Sequence, residues 1–410
     1  MSFNQYTWDL YKQTTIGIEM IKYFSDAGGY VSFKDYCPYA NFIPEDLYND
    51  WLENIYCYGV SDYDHPSSLE EAKDLYISLI TLGIRVEGQQ WLPANDFKNM
   101  LGIIQPMSYV LSQFAPEYFF PYLFLCRIFE LNKIADFFNI DLPNIPKRTD
   151  YKGRCMYYWE LCEVFYLFRK ENGLSPADLW SFLYDFAPNN LPSEKIDMPK
   201  PSQVWFIGGR LYQEDKSLES KFWQSSPETK KGDILVHYET SPISAITCIE
   251  ISLTDGVIDP LFRYYGCIYI GNRINIPHIT LKELQTDEYF FKHPLVRKNF
   301  QGVNGWSVNS ENYSELLRMI KTKGFDIEVL PKLYAPTLPK DVIIEYEHDV
   351  EQQLLEPLLN SMGWYENKDF IRQLPIQAGR GHRIFPDYAL HYGNKPNEER
   401  AKVLIEAKLC

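Results

Sequence analysis

Near residue 200 the period of hydrophobicity changes, and that change constrains the fold more than any other feature. Before it, Glu71–Leu82, Pro121–Phe138, Met156–Lys170 and Pro176–Phe186 repeat apolar residues at steps of three and four, the helical period. Ser175-Pro176 has the form of an N-cap followed by proline at the first helical position. After it, VWFIGG, DILVHYE, AITCIEI and CIYIGNRI are short β-rich runs punctuated by Gly, Asp and Pro. Helical patterning returns at Leu281–Phe291 and Tyr313–Thr322, and the proline-rich PKLYAPTLPK at 331–340 reads as a linker. From 341 the order is a helix (Glu347–Leu359) and three strand-like segments, Asn367–Pro375, Phe385–His391 and Lys402–Lys408.

The expected fold class is therefore multidomain α+β. An α-helical domain occupies 1–195, a β-barrel-type domain 203–330, a linker 331–340 and an α/β domain 341–410. A chain of 410 residues is too long for one ordinary compact domain, and no internal repeat divides it. Aromatic residues reach 16%, with 31 Tyr and 25 Phe, which supplies large buried rings and flat stacking surfaces alike.

Net charge of −15 argues against a broad basic face, although a local basic groove remains compatible with it. The eight cysteines are scattered, with no CxxC and no Cys–His pair at zinc spacing. No signal peptide precedes the first helix, and no apolar run approaches the roughly 20 residues of a spanning helix. The expected setting is cytoplasmic and reducing, with free thiols and no membrane contact. No GxxxxGK[ST] loop is present, so a nucleotide-driven motor would have to be a separate subunit.

Chemistry concentrates at the C-terminal end. In Ile405-Glu406-Ala407-Lys408, residues two apart on a strand share a face, so Glu406 and Lys408 project together. Asp387, after Pro386, opens the preceding strand, and Glu347 lies on the first turn of the helix before it. Three carboxylates suit a hard cation such as Mg²⁺, or Mn²⁺ in its place, which polarises a phosphate and acidifies bound water. A lysine beside them positions that water. Taken singly, each is an ordinary surface residue; their order along the chain is the specific signal.

That order resembles the PD-(D/E)xK nucleases, in particular the restriction-endonuclease-like domain of type I restriction motor subunits. The residues that carry it are EHDVEQQLLEPLLNSMGW at 347–364, Gln373, GRGHR at 379–383, FPDYAL at 385–390 and VLIEAK at 403–408. The resemblance implies Asp387 and Glu406 as metal ligands, Lys408 as the water-positioning group and Glu347 as the helix carboxylate, with Glu351 competing for that last role. It makes Gln373 a supporting residue and His382 and Arg383 either phosphate contacts or solvated loop residues. Members of that family continue with a further helix and strand, whereas this sequence stops at Cys410. The resemblance therefore implies an incomplete nuclease domain whose activity depends on what covers its sheet.

The segment 203–310 resembles the EVE-like members of the PUA superfamily, barrels that hold a flipped-out, often modified base between aromatic rings. Its carriers are VWFIGG, KFWQSSPETKKGDILVHYETSP, DPLFRYYGCIYIGNRINIP and NFQGVNGW. The implied pocket residues are Trp223, Tyr238, Tyr264, Tyr265 and Trp306, with one of the adjacent Tyr264 and Tyr265 in the core. Lys230, Lys231, Arg263, Arg273, Arg297 and Lys298 are the implied phosphate contacts. His65, alone in a polar loop, reads as a surface residue.

Together these readings imply a restriction-type, phage-defence endonuclease acting on DNA with modified bases. The alternative is a non-catalytic reader of modified DNA or RNA. A homodimer would suit double-strand cutting.

Overall fold

The computed structural model describes every residue except 1–2, 26–44, 87–88, 126, 193–197, 211–220, 335–341, 380–381, 394–399 and 409–410. Most of the expected linker, part of GRGHR, and Cys37, Cys126 and Cys410 thus fall outside the described residues. The fold is mixed α/β with a curled half-barrel sheet. It divides into two compact units, one of Met1–Lys195 with Val257–Cys267 and one of Ile196–Gly256 with Ile268–Cys410. Among the described residues no helix is long and apolar enough to cross a membrane.

The first unit is built on aromatic packing. Its longest helix, α1 (Tyr151–Glu171), buries Cys155, Tyr157, Tyr158, Trp159, Leu161, Cys162 and Phe165. These positions run round more than one face, so the helix is central rather than amphipathic. Asp150 caps its N-terminus by accepting from Gly153 N at 2.9 Å. The expected helix Pro121–Phe138 forms only from Ile128. Residues 119–124 are non-helical and buried. Pro116 and Pro121 disfavour helix there, and side chains take over the backbone bonding. Tyr158 Oη donates to Phe120 O at 2.7 Å and Tyr122 N donates to Ser108 Oγ at 2.8 Å. A hairpin at β1 (Ile84–Val86) and β2 (Gln89–Leu92), invisible to the periodicity, completes the regular structure of this region.

The segment Val257–Cys267 belongs with these helices although the sequence places it in the barrel. Arg154, 1% exposed, supplies the reason: its guanidinium donates to Pro260 O (2.8 Å), Phe262 O (2.6 Å) and Arg148 O (3.0 Å). Tyr151 and Tyr265 flank it as cation–π partners.

The second unit is built on the strands β3 (Val204–Gly209), β4 (Lys221–Gln224), β5 (Ile234–Glu239), β6 (Ala245–Ser252), β8 (Gly266–Thr280) and β9 (Trp306–Val308), whereas β7 (Val257–Ile258) lies in the Val257–Cys267 segment of the first unit and pairs there with Gly266 and Cys267 at the start of β8. The spatial order is β4-β8-β6-β5-β3-β9, with β7 pairing β8. Only β3–β5 is parallel among the registers seen; β5–β6, β6–β8 and β3–β9 are antiparallel. Alternation along β3 and β5 sorts the side chains. Val204, Phe206, Ile234, Val236 and Tyr238 enter the main core beneath α2 (Ser310–Thr322), while Trp205, Ile207 and Leu235 enter a smaller cluster with Ile268 and Ile270. Gly232, at φ +92°, supplies the left-handed turn before β5 that the KKGD sequence announces.

The C-terminal part of this unit begins with a helix that changes pitch. Glu347–Val350 and Glu356–Ser361 are α-helical, and Glu351–Leu355 between them forms a wide π turn. Pro357 has no N–H for the carbonyl four residues back, which removes an α-helical bond at that point. Strands β10 (Phe370–Arg372), β11 (Ile376–Gly379), β12 (His382–Ile384), β13 (Tyr388–Leu390) and β14 (Val403–Ile405) follow. They form an antiparallel sheet β10-β13-β14 and a separate β11-β12 hairpin that the sequence pattern did not reveal. Leu359, Trp364, Phe370, Tyr388 and Leu390 make its core. Ion pairs Lys230–Asp369, Lys402–Glu228 and Lys368–Asp255 (3.0 Å) tie this part to the turns of the larger sheet.

Candidate active site

The antiparallel register of β13 and β14 pairs Tyr388 with Ile405. It therefore sets Asp387, just before β13, beside Glu406, just after β14. Glu406 and Lys408 lie one and three residues past the strand rather than on it. Alternation nevertheless persists: Ala407 is 2% exposed, and Glu406 and Lys408 point to solvent. Lys408 Nζ lies 3.2 Å from Glu406 Oε1 and 3.8 Å from Glu347 Oε1. Asp387 Oδ2 accepts from Ala407 N at 2.6 Å, and Oδ1 accepts from Gln373 Nε2 at 3.0 Å. The four residues singled out in the sequence are thus brought to one place by a helix and two strand ends.

Electrostatics follows from that gathering. The hydrogen bond to Glu406, then the charges of Glu347 and Asp387, hold the Lys408 ammonium above its ordinary pKa. Lys408 is accordingly a proton-bearing cation near neutrality that donates to Glu406. Gln373 sits at φ +52°, and its own N–H donates to Pro386 O at 3.1 Å, so Gln373 holds both the backbone before Asp387 and the Asp387 carboxylate. Glu351 is committed elsewhere. It pairs with Arg372, which also holds Glu356 at 2.7 Å and lies over the Tyr388 ring. Of the two helix carboxylates, Glu347 is the one that faces Lys408.

The donor set fits Mg²⁺ chemically, since carboxylate oxygens are its preferred protein ligands and it retains several waters. The three carboxylates are not drawn into a closed cage: among the described residues the group whose ligand atoms lie within 4.8 Å is His237, Cys248 and Glu250. His382 and Arg383 are exposed on the β11-β12 hairpin, with Arg383 Nε 3.5 Å from Gln377 Oε1.

The residues expected to form a base pocket are dispersed. Tyr238 stacks face to face on Phe300, with centroids 4.0 Å apart, inside the main core. Its position on β5 alternates inward, so it is no pocket wall. Trp306 packs against the same core, its ring T-shaped to His293 at 6.4 Å. Tyr264 is 49% exposed beside exposed Arg263, both in the first unit, where Tyr265 donates to Pro146 O at 2.5 Å. Trp223 lies on the opposite face of the sheet from Tyr238, T-shaped to His237 at 4.8 Å, with Nε1 3.3 Å from Asn304 Oδ1. A Cβ at Gly209 would meet its ring at 2.5 Å, so glycine is needed for the indole to lie there. Of the expected phosphate contacts, Arg297 and Lys298 are exposed and Lys231 is half-buried. Lys230 pairs with Asp369 and Arg273 with Glu250, which removes both from that role. His65 is exposed and stacks on Phe114. Cys57, Cys155, Cys162, Cys248 and Cys267 are free thiols.

His237, Asn304 and Glu250 were not signalled by any motif. Only the strand alternation around Trp223, followed across paired strands, would have pointed to them.

No family model and no curated protein matches the chain. A solved structure, the NMR structure of Rpa0253 from Rhodopseudomonas palustris, is similar at 14% identity, covering 29% of this chain and 94% of that chain. The TM-score of that match is 0.26.

Proposed function

We propose that the chain is a Mg²⁺-dependent endonuclease of the PD-(D/E)xK type acting on DNA with modified bases. The observation that supports it is the convergence of Glu347, Asp387, Glu406 and Lys408 from three separate elements. Glu347, Asp387 and Glu406 would hold the ion, Mn²⁺ serving in its place, and the bound ion would supply Lewis acidity and a nucleophilic water. Lys408 would donate a hydrogen bond to the attacking water and offset charge building on the phosphate. Ala407 N and Gln373 Nε2 fix both oxygens of Asp387, which limits its rotation. Trp223 would offer a base a stacking surface, and the exposed Arg297 and Lys298, with half-buried Lys231, would contact phosphate. A homodimer would place two such sites on opposite strands.

The test is cleavage of phage DNA, unmodified or carrying modified cytosines, with Mg²⁺ or EDTA. Cutting of modified DNA that needs Mg²⁺ and is lost in Lys408→Ala supports the reading. Binding of modified DNA without cutting reduces the chain to a reader, the alternative function. Preference for a matched RNA would overturn DNA as the substrate.

A further inference from the structure

A second group of ligating side chains lies away from the C-terminal carboxylates, on the face of the large sheet opposite the main core. His237 on β5 is paired directly with Cys248 on β6, and Glu250 follows two residues on, so all three project from one face. They are 0%, 0% and 2% exposed. One atom from each, an imidazole nitrogen, Sγ and a carboxylate oxygen, lies within 4.8 Å of the other two. Glu250 Oε2 is 3.0 Å from His237 Nδ1, and Glu250 Oε1 is held by Arg273 at 2.8 Å.

The hydrogen-bonding chemistry of His237 does not close within the protein. With a proton on Nδ1, the ring donates to Glu250 but leaves Nε2 a bare acceptor in a fully buried position. Nε2 has no hydrogen-bond partner, and the neighbouring Trp223 offers no donor because its N–H is directed to Asn304. With the proton on Nε2, that N–H is still without a partner and the Nδ1 lone pair faces a carboxylate oxygen at 3.0 Å. A cation between Nδ1 and Oε2 removes the repulsion between that lone pair and the carboxylate and fixes the ring proton on Nε2. Spacing agrees with this. Zinc–ligand bonds of about 2.0–2.1 Å to N and O put tetrahedral ligand atoms about 3.3 Å apart, near the separation already present. Sγ, within 4.8 Å, needs at most about 1.2 Å of closure to reach its own tetrahedral edge. Arg273, fixing the far oxygen of Glu250, orients the carboxylate as outer partners of metal ligands do.

We propose that His237 Nδ1, Cys248 Sγ and Glu250 Oε2 bind a zinc-type divalent transition metal that staples β5 to β6. The donor set of one sulfur, one nitrogen and one oxygen selects a borderline-soft ion over Mg²⁺. Binding transfers the Cys248 proton to solvent, leaving thiolate, carboxylate and neutral imidazole on the ion, with water as a fourth ligand. The site is independent of the nuclease reading.

The experiment uses the full chain, stripped with EDTA and titrated with Co²⁺ and then Zn²⁺. A thiolate-to-cobalt charge-transfer band in the near ultraviolet is expected to saturate at one thiolate-bound Co²⁺ per chain and to be bleached by Zn²⁺. Cys248→Ser should abolish the band and His237→Gln should weaken affinity at least 10-fold, while Asp387→Asn leaves both unchanged. Should either variant fail to fold, zinc-edge X-ray absorption of the wild-type chain decides: one sulfur among nitrogen and oxygen scatterers is expected. A wild-type chain that gives no charge-transfer band, or a zinc shell without sulfur, overturns the proposal. So does a band that persists at full strength in Cys248→Ser.

Discussion

Asp387→Asn separates what Asp387 does for the fold from what it does for chemistry. The carboxylate accepts two hydrogen bonds, from Ala407 N at 2.6 Å and from Gln373 Nε2 at 3.0 Å. Asparagine Oδ1 can keep the first, and a flip of the Gln373 amide lets its oxygen accept from Asn Nδ2. What is lost is charge. Replacing a charge-assisted bond by a neutral one costs about 1 kcal/mol. Asp387→Ala instead strands the Ala407 N–H, on a residue only 2% exposed, and costs about 2 kcal/mol. Urea unfolding should therefore order the variants as wild type, Asp387→Asn, Asp387→Ala, with an Asn-to-Ala step of about 1 kcal/mol. Cleavage should not follow that order. Both substitutions remove a metal ligand, and each should lower the Mg²⁺-dependent cutting rate at least about 100-fold, or about 2.7 kcal/mol in the barrier. Nicking of supercoiled plasmid carrying modified cytosines, with Mg²⁺ varied, reads both the rate and the metal requirement. An Asp387→Asn protein that cuts at the wild-type rate with the same Mg²⁺ dependence would refute the assignment of Asp387 as a ligand.

Two further expectations concern the large sheet. Burial pushes the Asp233 carboxyl from 3.8 up to about 6, against donors from Lys230 N, Trp205 Nε1 and Gln203 N. The native state then binds more protons than the unfolded chain between those values, so this residue's contribution falls as pH rises from about 4 to 6, by about 3 kcal/mol. Urea unfolding of wild type and Asp233→Asn at pH 4, 5 and 7 should show wild type losing ground to the variant as pH rises; parallel profiles would show the carboxyl ionises freely. On the recognition side, Trp223→Ala should weaken binding of modified DNA about 10-fold, since one base–aromatic stack contributes about 1–3 kcal/mol. Tyr238→Phe, inside the core, should leave it unchanged, and fluorescence anisotropy with a modified-cytosine duplex compares the two; equal losses would reject the placement of the pocket.

How much of this was legible beforehand depended on the range of the interaction involved. The sequence determined the change from helical to strand period near 200, most of the sheet strands, and the order in which the candidate residues Glu347, Asp387, Glu406 and Lys408 follow one another. Those follow from short-range rules: periodicity, capping and alternation act within a few residues. The carboxylates of Glu347, Asp387 and Glu406 could be singled out because each has a fixed offset within its own element. Which helix carboxylate faces Lys408 was not decidable in that way. It turned on Arg372, distant in sequence, drawing Glu351 aside.

Tertiary structure alone decided the rest. A buried guanidinium, Arg154, draws the Val257–Cys267 segment to the helical unit. Side-chain hydrogen bonds hold residues 119–124 out of the helix that their apolar pattern suggests. Tyr238 and His237 are neighbours in the chain, and only the pairing of β5 with β3 and β6 settles which one enters the core. His237, Cys248 and Glu250 carry no spacing motif, because the contacts that gather them cross between strands, and register between strands is set by packing rather than by local sequence.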